Sequence, residues 1–514
     1  MPRAALLPCA LLLTACGGSA PQPTGPLRPR NAVVFTVDTL RADQLGAYGR
    51  RPSHTPHFDA LAQRSLLFER CYSPATLTNP ALTSLWTGLL PFQHGVHEQS
   101  MGFAKGIVPI PHLLAEHGLA TGAFLANMCK LQEIPGTVFH DGWQERFCGM
   151  LDAPEAYSDQ YLWDEAVVGA CLAWIEARGQ APFLAWVHLM DPHAEHRPPP
   201  RRWDAAQRPL EDRFEQYAYY NRFEELRQMP PPEVIERLLE LYAAEVAGAD
   251  DQLGRLLAGL ERLGLEEHTA LIASADHGEE LFETWVRYDH GLSMTEGVFH
   301  VPLLIQAPGL APGRVAEPVE LSQIGPTLLE LFGVEGLYEF PAASLLAKAP
   351  SRGFAMSYAG RFAASLRTQK FRYWKRLKAP LPERDSSPWR LEAPWFSAPQ
   401  LLARYETAGS LVPTFLPLEA ESARDAERLG RRLEQFHGGL RRFGKAARID
   451  SPELERMLSQ LNYLRYSNAE DGPEDGTGKA PEGAPAQGTP DGSEAVAPSD
   501  ADSEAPPQGN WDGG

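Results

Sequence analysis

The chain of 514 residues lacks several features that would assign it to a broad functional class. After the first sixteen residues, no stretch reaches the roughly 18 apolar residues that a membrane-spanning helix needs. Lys and Arg number 47 against 66 Asp and Glu, and this shortage of positive charge argues against nucleic acid as a partner. Internal repeats are absent, which excludes a solenoid or a propeller.

Cysteine is also scarce, with six residues in the whole chain. Two of them, Cys9 and Cys16, belong to the N-terminal segment. An even number remains, which allows two disulfides in an oxidising compartment but leaves their connectivity open. These remaining residues are Cys71, Cys129, Cys148 and Cys171.

The first sixteen residues have the pattern of an export signal. Arg3 is the only charge, Leu6–Leu13 is apolar, and residues 13–16 read Leu-Thr-Ala-Cys. This ending resembles a bacterial lipobox, in which the cysteine, here Cys16, becomes the lipidated N-terminus of the mature protein. We therefore expect a lipid-anchored protein of the bacterial cell envelope that faces the periplasm or the exterior. An ordinary secretory signal is the alternative.

Two apolar runs end abruptly in an acidic residue. Residues 31–38 read Asn-Ala-Val-Val-Phe-Thr-Val-Asp, and residues 271–279 read Leu-Ile-Ala-Ser-Ala-Asp-His-Gly-Glu. Buried parallel strands end this way, and their carboxyl ends lie along one edge of a sheet, where ligands bind. Asp38, Asp276 and His277 would meet there and can ligate one divalent metal. The alternative is a turn after the strand, with Asp276 capping a helix.

Two further segments carry histidines at comparable places. The apolar run Phe183–Leu189 leads into Asp191-Pro-His193, and His290 precedes another apolar run, Val301–Ile305. A lone histidine is more often a hydrogen-bonded residue of the surface or core than a ligand. Because four such segments occur together, the sequence favours a metal site.

Motifs in a fixed order resemble those of the sulfatase family in the alkaline phosphatase superfamily. The resemblance covers roughly residues 31–310 and weakens toward residue 375. The matching segments are Val37–Asp43, Thr78–Gly88, Pro91–Val96, Asp191–His193 and Asp276–Leu303.

The resemblance implies a divalent metal, usually calcium in the family, with Mn²⁺ or Zn²⁺ as alternatives. It also implies that two histidines contact the leaving group or the anionic ester. The implied metal ligands are Asp38, Thr78, Asp276 and His277, and the implied catalytic residues are Thr78, His193 and His290.

The position of the family nucleophile departs from the family pattern. The family has a Cys, or sometimes a Ser, that is oxidised to formylglycine and followed by x-Pro-x-Arg, whereas this chain has Thr78, Pro80 and Leu82. Threonine cannot become formylglycine, because its Cβ carries a methyl group and oxidation would give a ketone. Thr78 would instead attack as a metal-activated alkoxide, as in the superfamily's phosphodiesterases and phosphotransferases, and this favours a phosphorus ester. A helix cap is the alternative role for Thr78. The second acid of the family's usual pair is replaced by Thr39.

Strand-like and helical patterns alternate through the middle of the chain. They predict an α/β fold, an α/β/α sandwich with a large mixed, mostly parallel sheet. The predicted strands are Ala32–Val37, Ala120–Leu125, Phe183–Leu189, Ala270–Ser274 and Pro302–Ile305, and the predicted helices are Thr55–Arg64, Asp159–Arg178 and Glu233–Leu263. Residues 354–358 and 363–374 resemble paired strands of the small C-terminal antiparallel sheet of sulfatases.

These patterns divide the chain into five parts. They are a lipoprotein signal peptide over residues 1–16, a flexible tether over 17–30, a sulfatase-like catalytic domain over 31–345, a C-terminal subdomain over 346–467 and a disordered acidic tail over 468–514. The tail has eleven acidic residues and one lysine, so it accounts for about −10 of the net charge of −19. Residues 197–232 break the alternation and are either an insertion that sets substrate choice or a spacer.

The sequence thus predicts a sulfatase-like, metal-dependent hydrolase of a sulfate or phosphate ester carried by a small molecule, glycan or lipid. Two alternatives remain open: a phosphotransferase that acts on envelope lipids or glycans, and a non-catalytic binding protein with the sulfatase fold. Among nearby polar residues, Arg41 and Asp43 are expected to form a structural ion pair. Asn127 is expected to steady the transferred anion.

The anchor hypothesis predicts that Cys16→Ser blocks lipid attachment, because the acylated thiol is lost. We expect the wild-type protein to begin at an acylated Cys16 and to partition with membranes, and the variant to do neither. Intact mass and membrane fractionation check this. A wild-type mass that corresponds to unmodified cleavage at another site would contradict it.

Overall fold

Strands and helices alternate along the chain in the computed structural model. The structure describes residues 29–149, 160–194, 196–198, 230–283, 288–291, 293–337, 339–348, 351–377, 399–405, 414–416, 420–444 and 446–455.

The strands fall into a large sheet, two short ribbons and a separate small sheet. In chain order they are β1 Asn31–Val37, β2 Leu66–Phe68, β3 Cys71–Tyr72, β4 Ala120–Leu125, β5 Glu145–Cys148, β6 Phe183–Leu189, β7 Thr269–Ala275, β8 Glu280–Leu281, β9 Tyr288–Asp289, β10 His300–Val301, β11 Leu303–Gln306, β12 Gly313–Val315, β13 Val319–Glu320, β14 Ala355–Ala359, β15 Ala363–Arg367, β16 Phe371–Arg376, β17 Gln400–Arg404 and β18 Thr414–Phe415.

The α-helices lie mostly between the strands of the large sheet. They are α1 Pro56–Gln63, α2 Thr78–Thr87, α3 Pro91–His94, α4 Ile110–Glu116, α5 Gln160–Arg178, α6 Pro232–Arg262, α7 Glu296–Phe299, α8 Ile324–Phe332 and α9 Ala420–Gly439. Short 3₁₀ turns occur at Ala42–Gln44, Gly46–Tyr48, Cys129–Glu133, Glu266–His268 and Leu321–Gln323.

Eight strands form the large sheet in the order β12-β2-β11-β7-β1-β6-β4-β5. The run from β7 to β5 is parallel, whereas β11 pairs antiparallel with β7 and with β2. Every residue of β1, β6 and β7 is buried. Such continuous burial is typical of central parallel strands covered on both faces, and it explains their nearly unbroken apolar sequences.

Helices cover both faces of this sheet. Phe183 and Trp186 leave β6 on opposite faces because an odd number of positions separates them. Phe183 contacts Trp174 of α5, with ring centroids 5.9 Å apart, and Trp186 contacts Trp86 of α2 at 5.2 Å. α6 packs against α1 and α5, while α8 packs against α2 and α4. The layers therefore follow the α/β/α arrangement.

The register of the central strands places their carboxyl ends at one level. Val37 of β1 pairs with Ala275 of β7 and with Leu189 of β6. Asp38 and Asp276 follow directly, so both acids leave the sheet at the same edge. The backbone N–H of Asp38 donates to the carbonyl of Leu189 at 3.0 Å, which extends the hydrogen-bond ladder by one residue.

Five antiparallel strands, β14 to β18, form the small sheet, and α9 packs against it. A buried ion cluster links this sheet to α7: Glu296 Oε1 lies 2.5 Å from Arg367 Nε and 3.0 Å from an Arg372 guanidinium nitrogen. Burial disfavours the carboxylate, but the two guanidinium groups outweigh it and lower the pKa of Glu296 to about 2.

The predicted fold is confirmed, both in the mostly parallel sheet and in the small antiparallel sheet. The central strands match their predicted bounds to within one residue at each end. The predicted signal peptide, most of the tether, most of residues 197–232 and the acidic tail lie outside the described residues. Among the described residues, no helix combines the length and apolarity needed to span a bilayer.

One disulfide is present among the described cysteines. It joins Cys129 and Cys148, whose Cα atoms lie 5.6 Å apart, while Cys71 and Cys171 are buried free thiols. One of the two disulfides that the four cysteines could form is therefore present.

The ion cluster predicts a large stability difference between two glutamate variants. Glu296→Gln leaves two guanidinium groups buried without a carboxylate, and we expect it to lower the free energy of unfolding by about 3–5 kcal/mol. Glu434→Gln removes the partner of an exposed lysine, Lys375, and should cost about 1 kcal/mol or less. Denaturant unfolding of both variants measures the difference, and equal values would contradict this account of the cluster.

Candidate functional site

Two fully buried carboxylates lie at the carboxyl ends of β1 and β7. Asp276 Oδ1 accepts hydrogen bonds from the backbone N–H groups of Thr39 at 3.2 Å and His277 at 2.7 Å. Its Oδ2 has no hydrogen-bond partner among the described residues. Asp38 Oδ2 accepts a hydrogen bond from the side-chain amide of Asn127 at 2.8 Å. Each carboxylate is therefore oriented through one oxygen.

The backbone around Asp38 is strained at the next residue. Thr39 has a φ of 55°, in the left-handed region that a β-branched residue rarely adopts. This conformation turns its N–H toward Asp276 and its carbonyl toward Tyr242, whose hydroxyl donates at 2.7 Å. These two hydrogen bonds hold the strained turn that presents the two acids to each other.

The site is electrostatically short of positive charge. Burial, together with the negative charge of Asp276, raises the pKa of Asp38 to about 7. Burial also raises the pKa of Asp276 to about 7, although the backbone hydrogen bonds to its carboxylate oppose the shift. A divalent cation between the two groups would keep both ionised. The residues present therefore fit a metal ion.

His277 contributes an imidazole nitrogen to the same space. Its Nε2 lies 3.4 Å from Asp276 Oδ2 and 3.8 Å from Asp38 Oδ1. Nδ1 lies 3.0 Å from the carbonyl of Gly278, so it carries the hydrogen and leaves a lone pair on Nε2. Burial and the neighbouring His290 lower the pKa of His277 to about 4, which keeps the ring neutral near pH 7. A neutral imidazole in this orientation can ligate a metal.

Thr78 is the first residue of α2, and it is fully buried. Its Oγ1 lies 3.4 Å from His277 Nε2, beside the two carboxylates. The backbone amides that follow are engaged elsewhere: the N–H of Asn79 donates to Gln99 Oε1 at 2.7 Å, and the N–H of Ala81 donates to the carbonyl of Leu77. Because residue 80 is proline, the helix start can help an anion through its dipole but not through these amides.

The other predicted histidines lie in the same cluster. The His290 ring is 4.4 Å from the His277 ring and 5.3 Å from the His193 ring, measured between centroids. His290 Nδ1 lies 3.1 Å from Glu279 Oε2, and His193 Nδ1 lies 2.6 Å from the carbonyl of Ala194. Both rings are thereby oriented from outside the cluster. The structure thus brings all the predicted metal and catalytic residues together.

His188, which the sequence interpretation did not select, also belongs to the site. It lies within β6, with its Nε2 3.9 Å from Asp38 Oδ2. The possible ligand atoms of Asp38, His188 and Asp276 all lie within 4.8 Å of one another. The signal in the sequence is a histidine inside a strand that is otherwise almost wholly apolar, because a buried imidazole needs polar partners.

Two polar side chains near the site have supporting positions. Asn127 donates a hydrogen bond from its side-chain amide to Asp38 and so orients that carboxylate, and the expectation that it steadies the transferred anion stays a prediction. Arg41 makes a bidentate pair with Asp43 and donates to the carbonyl of Glu279 at 3.0 Å. That arrangement agrees with the structural ion pair expected from the sequence.

Comparisons with known proteins identify the family of the chain. The family model described as Sulfatase matches residues 30–334. The ulvan-active sulfatase of Formosa agariphila is 26% identical over 332 residues, which span 60% of this chain and 63% of that protein. The choline-sulfatase of Rhizobium meliloti is 24% identical over 361 residues, which span 59% of this chain and 68% of that protein.

Solved structures share the fold at lower sequence identity. The phosphonate monoester hydrolase of Agrobacterium radiobacter superposes with a TM-score of 0.60 at 18% identity, covering 80% of this chain and 96% of that one. The phosphonate monoester hydrolase of Silicibacter pomeroyi gives a TM-score of 0.59 at 20% identity, with 80% and 95% covered. Because the family model extends over more than half of the chain, the protein belongs to the sulfatase family of ester hydrolases.

Proposed function

We propose that this protein is a metal-dependent hydrolase of a sulfate or phosphate ester and that Thr78 is its nucleophile. One observation carries the proposal: the Thr78 hydroxyl lies 3.4 Å from His277 Nε2, in the pocket that holds the two buried carboxylates. A hydroxyl at a helix start, beside candidate ligands of a divalent metal, is an arrangement that activates an alcohol for attack.

The residues that would hold the metal are Asp38, Asp276 and His277, with Thr78 beside them. When bound, a divalent ion would supply the positive charge that stabilises the Thr78 alkoxide and the oxygens of the ester. The unpartnered Asp276 Oδ2 and the raised pKa of both acids support this assignment. Asn127 and the strained turn at Thr39 keep the ligands in position.

The reaction transfers the anionic group to Thr78 and then to water. Thr78 gives its hydroxyl proton to solvent water, and its Oγ1 forms a bond to the phosphorus or sulfur atom while the bond to the leaving oxygen breaks. His290 or His193 gives a proton to that leaving oxygen. The Glu279 carboxylate contacts His290 Nδ1 and so orients the ring, as a third group orients the histidine in many catalytic sites. Water then cleaves the threonine ester and restores the hydroxyl.

The chemistry of threonine favours a phosphorus ester over a sulfate ester. Formylglycine hydrate has a second hydroxyl that expels sulfate by collapse to the aldehyde, and threonine has none. A phosphorylated threonine can be resolved by attack of water at phosphorus. Proteins similar to this chain include enzymes of both kinds. The two sequence relatives are sulfatases by name, and two structures with the same fold are phosphonate monoester hydrolases.

The proposed place of action is the bacterial cell envelope, with the enzyme anchored through a lipid on Cys16. The sequence around Cys16 is the support for this proposal. The substrate class is an ester of a small molecule, glycan or lipid that reaches the envelope.

The nucleophile assignment predicts different outcomes for two substitutions at residue 78. Thr78→Ala should lower turnover of phospho-esters on the order of 10⁴-fold or more, because the attacking oxygen is gone. Thr78→Ser should retain measurable turnover, because it loses only a methyl group. Matched aryl sulfate, phosphate monoester and phosphodiester probes give the rates, and metal content with melting temperature controls for the fold.

Two results would oppose this assignment. Comparable activity in Thr78→Ala and wild type would remove Thr78 from the mechanism. Fast multiple-turnover hydrolysis of the aryl sulfate by unmodified wild type would overturn the preference for phosphorus.

The metal assignment predicts that Asp276→Asn binds divalent metal at least about 100-fold more weakly than wild type, because one anionic ligand is lost. Metal analysis after equilibrium dialysis measures this without relying on turnover. Asp43→Asn is the matched control, since Asp43 pairs with Arg41 outside the metal cluster. Equal metal content in Asp276→Asn and wild type would exclude the proposed ligand set.

A further inference from the structure

His188 has a buried nitrogen that nothing in the described fold satisfies. The residue is fully buried in β6, and its Nε2 has no hydrogen-bond partner among the described residues. An unsatisfied polar atom in such a place is destabilising, whereas a valine or isoleucine would suit the strand without that penalty. This Nε2 atom lies 3.9 Å from Asp38 Oδ2, so it faces the carboxylates of the site.

The neighbours of His188 decide which ring nitrogen carries the hydrogen. Thr36 Oγ1 lies 2.9 Å from His188 Nδ1, accepts the indole N–H of Trp186 at 2.9 Å, and can donate to the carbonyl of Val187 at 3.3 Å. A hydroxyl donates once and accepts twice. All three contacts are satisfied together only when Thr36 donates to Val187 and accepts from both Trp186 and His188. Nδ1 then carries the hydrogen, and Nε2 presents a lone pair.

This pattern is that of a metal-bound histidine. Ligating histidines commonly donate their second ring N–H to a partner that fixes the ring orientation. The possible ligand atoms of His188, Asp38 and Asp276 lie within 4.8 Å of one another, which places them around one common space.

We propose that His188 Nε2 is a further ligand of the metal and that it makes the site selective for Zn²⁺ or Mn²⁺ over Ca²⁺. The inference rests on the proposed function, since it concerns the metal of that site. Calcium takes six to eight oxygen ligands, whereas zinc favours a few nitrogen and oxygen donors. Here two imidazoles, His188 and His277, accompany two carboxylates, and Thr39 offers only a neutral hydroxyl where the family has a second acid.

Metal-binding selectivity tests this inference directly. Dissociation constants for Zn²⁺, Mn²⁺ and Ca²⁺ are measured by competition with a chelator for wild type, His188→Gln and His300→Gln. Glutamine places an oxygen near the position of Nε2, so the variant exchanges a nitrogen donor for an oxygen donor. His300 is the matched control, because its Nε2 hydrogen bonds to the carbonyl of Glu69 outside the cluster.

We expect His188→Gln to weaken Zn²⁺ and Mn²⁺ binding by roughly 10- to 100-fold while changing Ca²⁺ binding little. The preference for Zn²⁺ over Ca²⁺ would then fall at least about tenfold, and His300→Gln would behave as wild type. An unchanged preference in a folded His188→Gln variant overturns the inference and leaves the proposed function standing. Absence of divalent metal binding in wild type overturns the proposed function and this inference with it.

A second measurement needs no variant and therefore does not depend on how His188→Gln folds. X-ray absorption of wild type loaded with one equivalent of Zn²⁺ counts imidazole ligands through their multiple-scattering signal. Two imidazoles are expected if both His188 and His277 bind. A single imidazole would overturn the assignment of His188.

Discussion

The burial of two neighbouring carboxylates is the constraint on which the site depends. Asp38 and Asp276 are fully buried, and the burial itself raises the pKa of each. Such an arrangement is costly in a protein that needs only a stable sheet, because an ion removed from water must be compensated. Neighbouring residues stabilise the arrangement. Thr39 adopts a left-handed backbone conformation, and the side-chain amide of Asn127 donates a hydrogen bond to one carboxylate oxygen of Asp38. The two acids therefore form the charged centre of the site, and the proposed metal would compensate their charge.

The fold and most of the site could be predicted because strands that are buried on both faces have continuous apolar sequences, which are easily recognised. Long apolar runs have few alternatives, and an acid at the end of each run marks the sheet edge. The positions of Asp38, Asp276 and His277 follow from that rule. Neighbouring apolar runs also pointed to His193 and His290, and the motif resemblance added Thr78.

The features that could not be predicted from the sequence depend on contacts between distant segments. His188 lies inside a strand, where its neighbours in the sequence are apolar and its partners come from β1 and the loop after it. The role of Asn127 depends on a hydrogen bond to a residue 89 positions away. The pairing of Cys129 with Cys148 likewise requires the distance between β5 and the turn after β4. Each case is a long-range relation between polar side chains, and local patterns carry no information about it.

The register between β1 and β7 has a consequence for how such a protein can change over time. Asp38 and Asp276 follow residues that are paired in the same ladder, so their separation is set by the spacing of strands and not by a loop. A single insertion or deletion in either strand would displace one acid by about 3.3 Å and turn its side chain to the other face. His193 and His290, in contrast, lie on segments outside the ladder. Changes in chain length should therefore be tolerated more readily on the side of His193 and His290 than on the side of the two acids, whose spacing the sheet fixes.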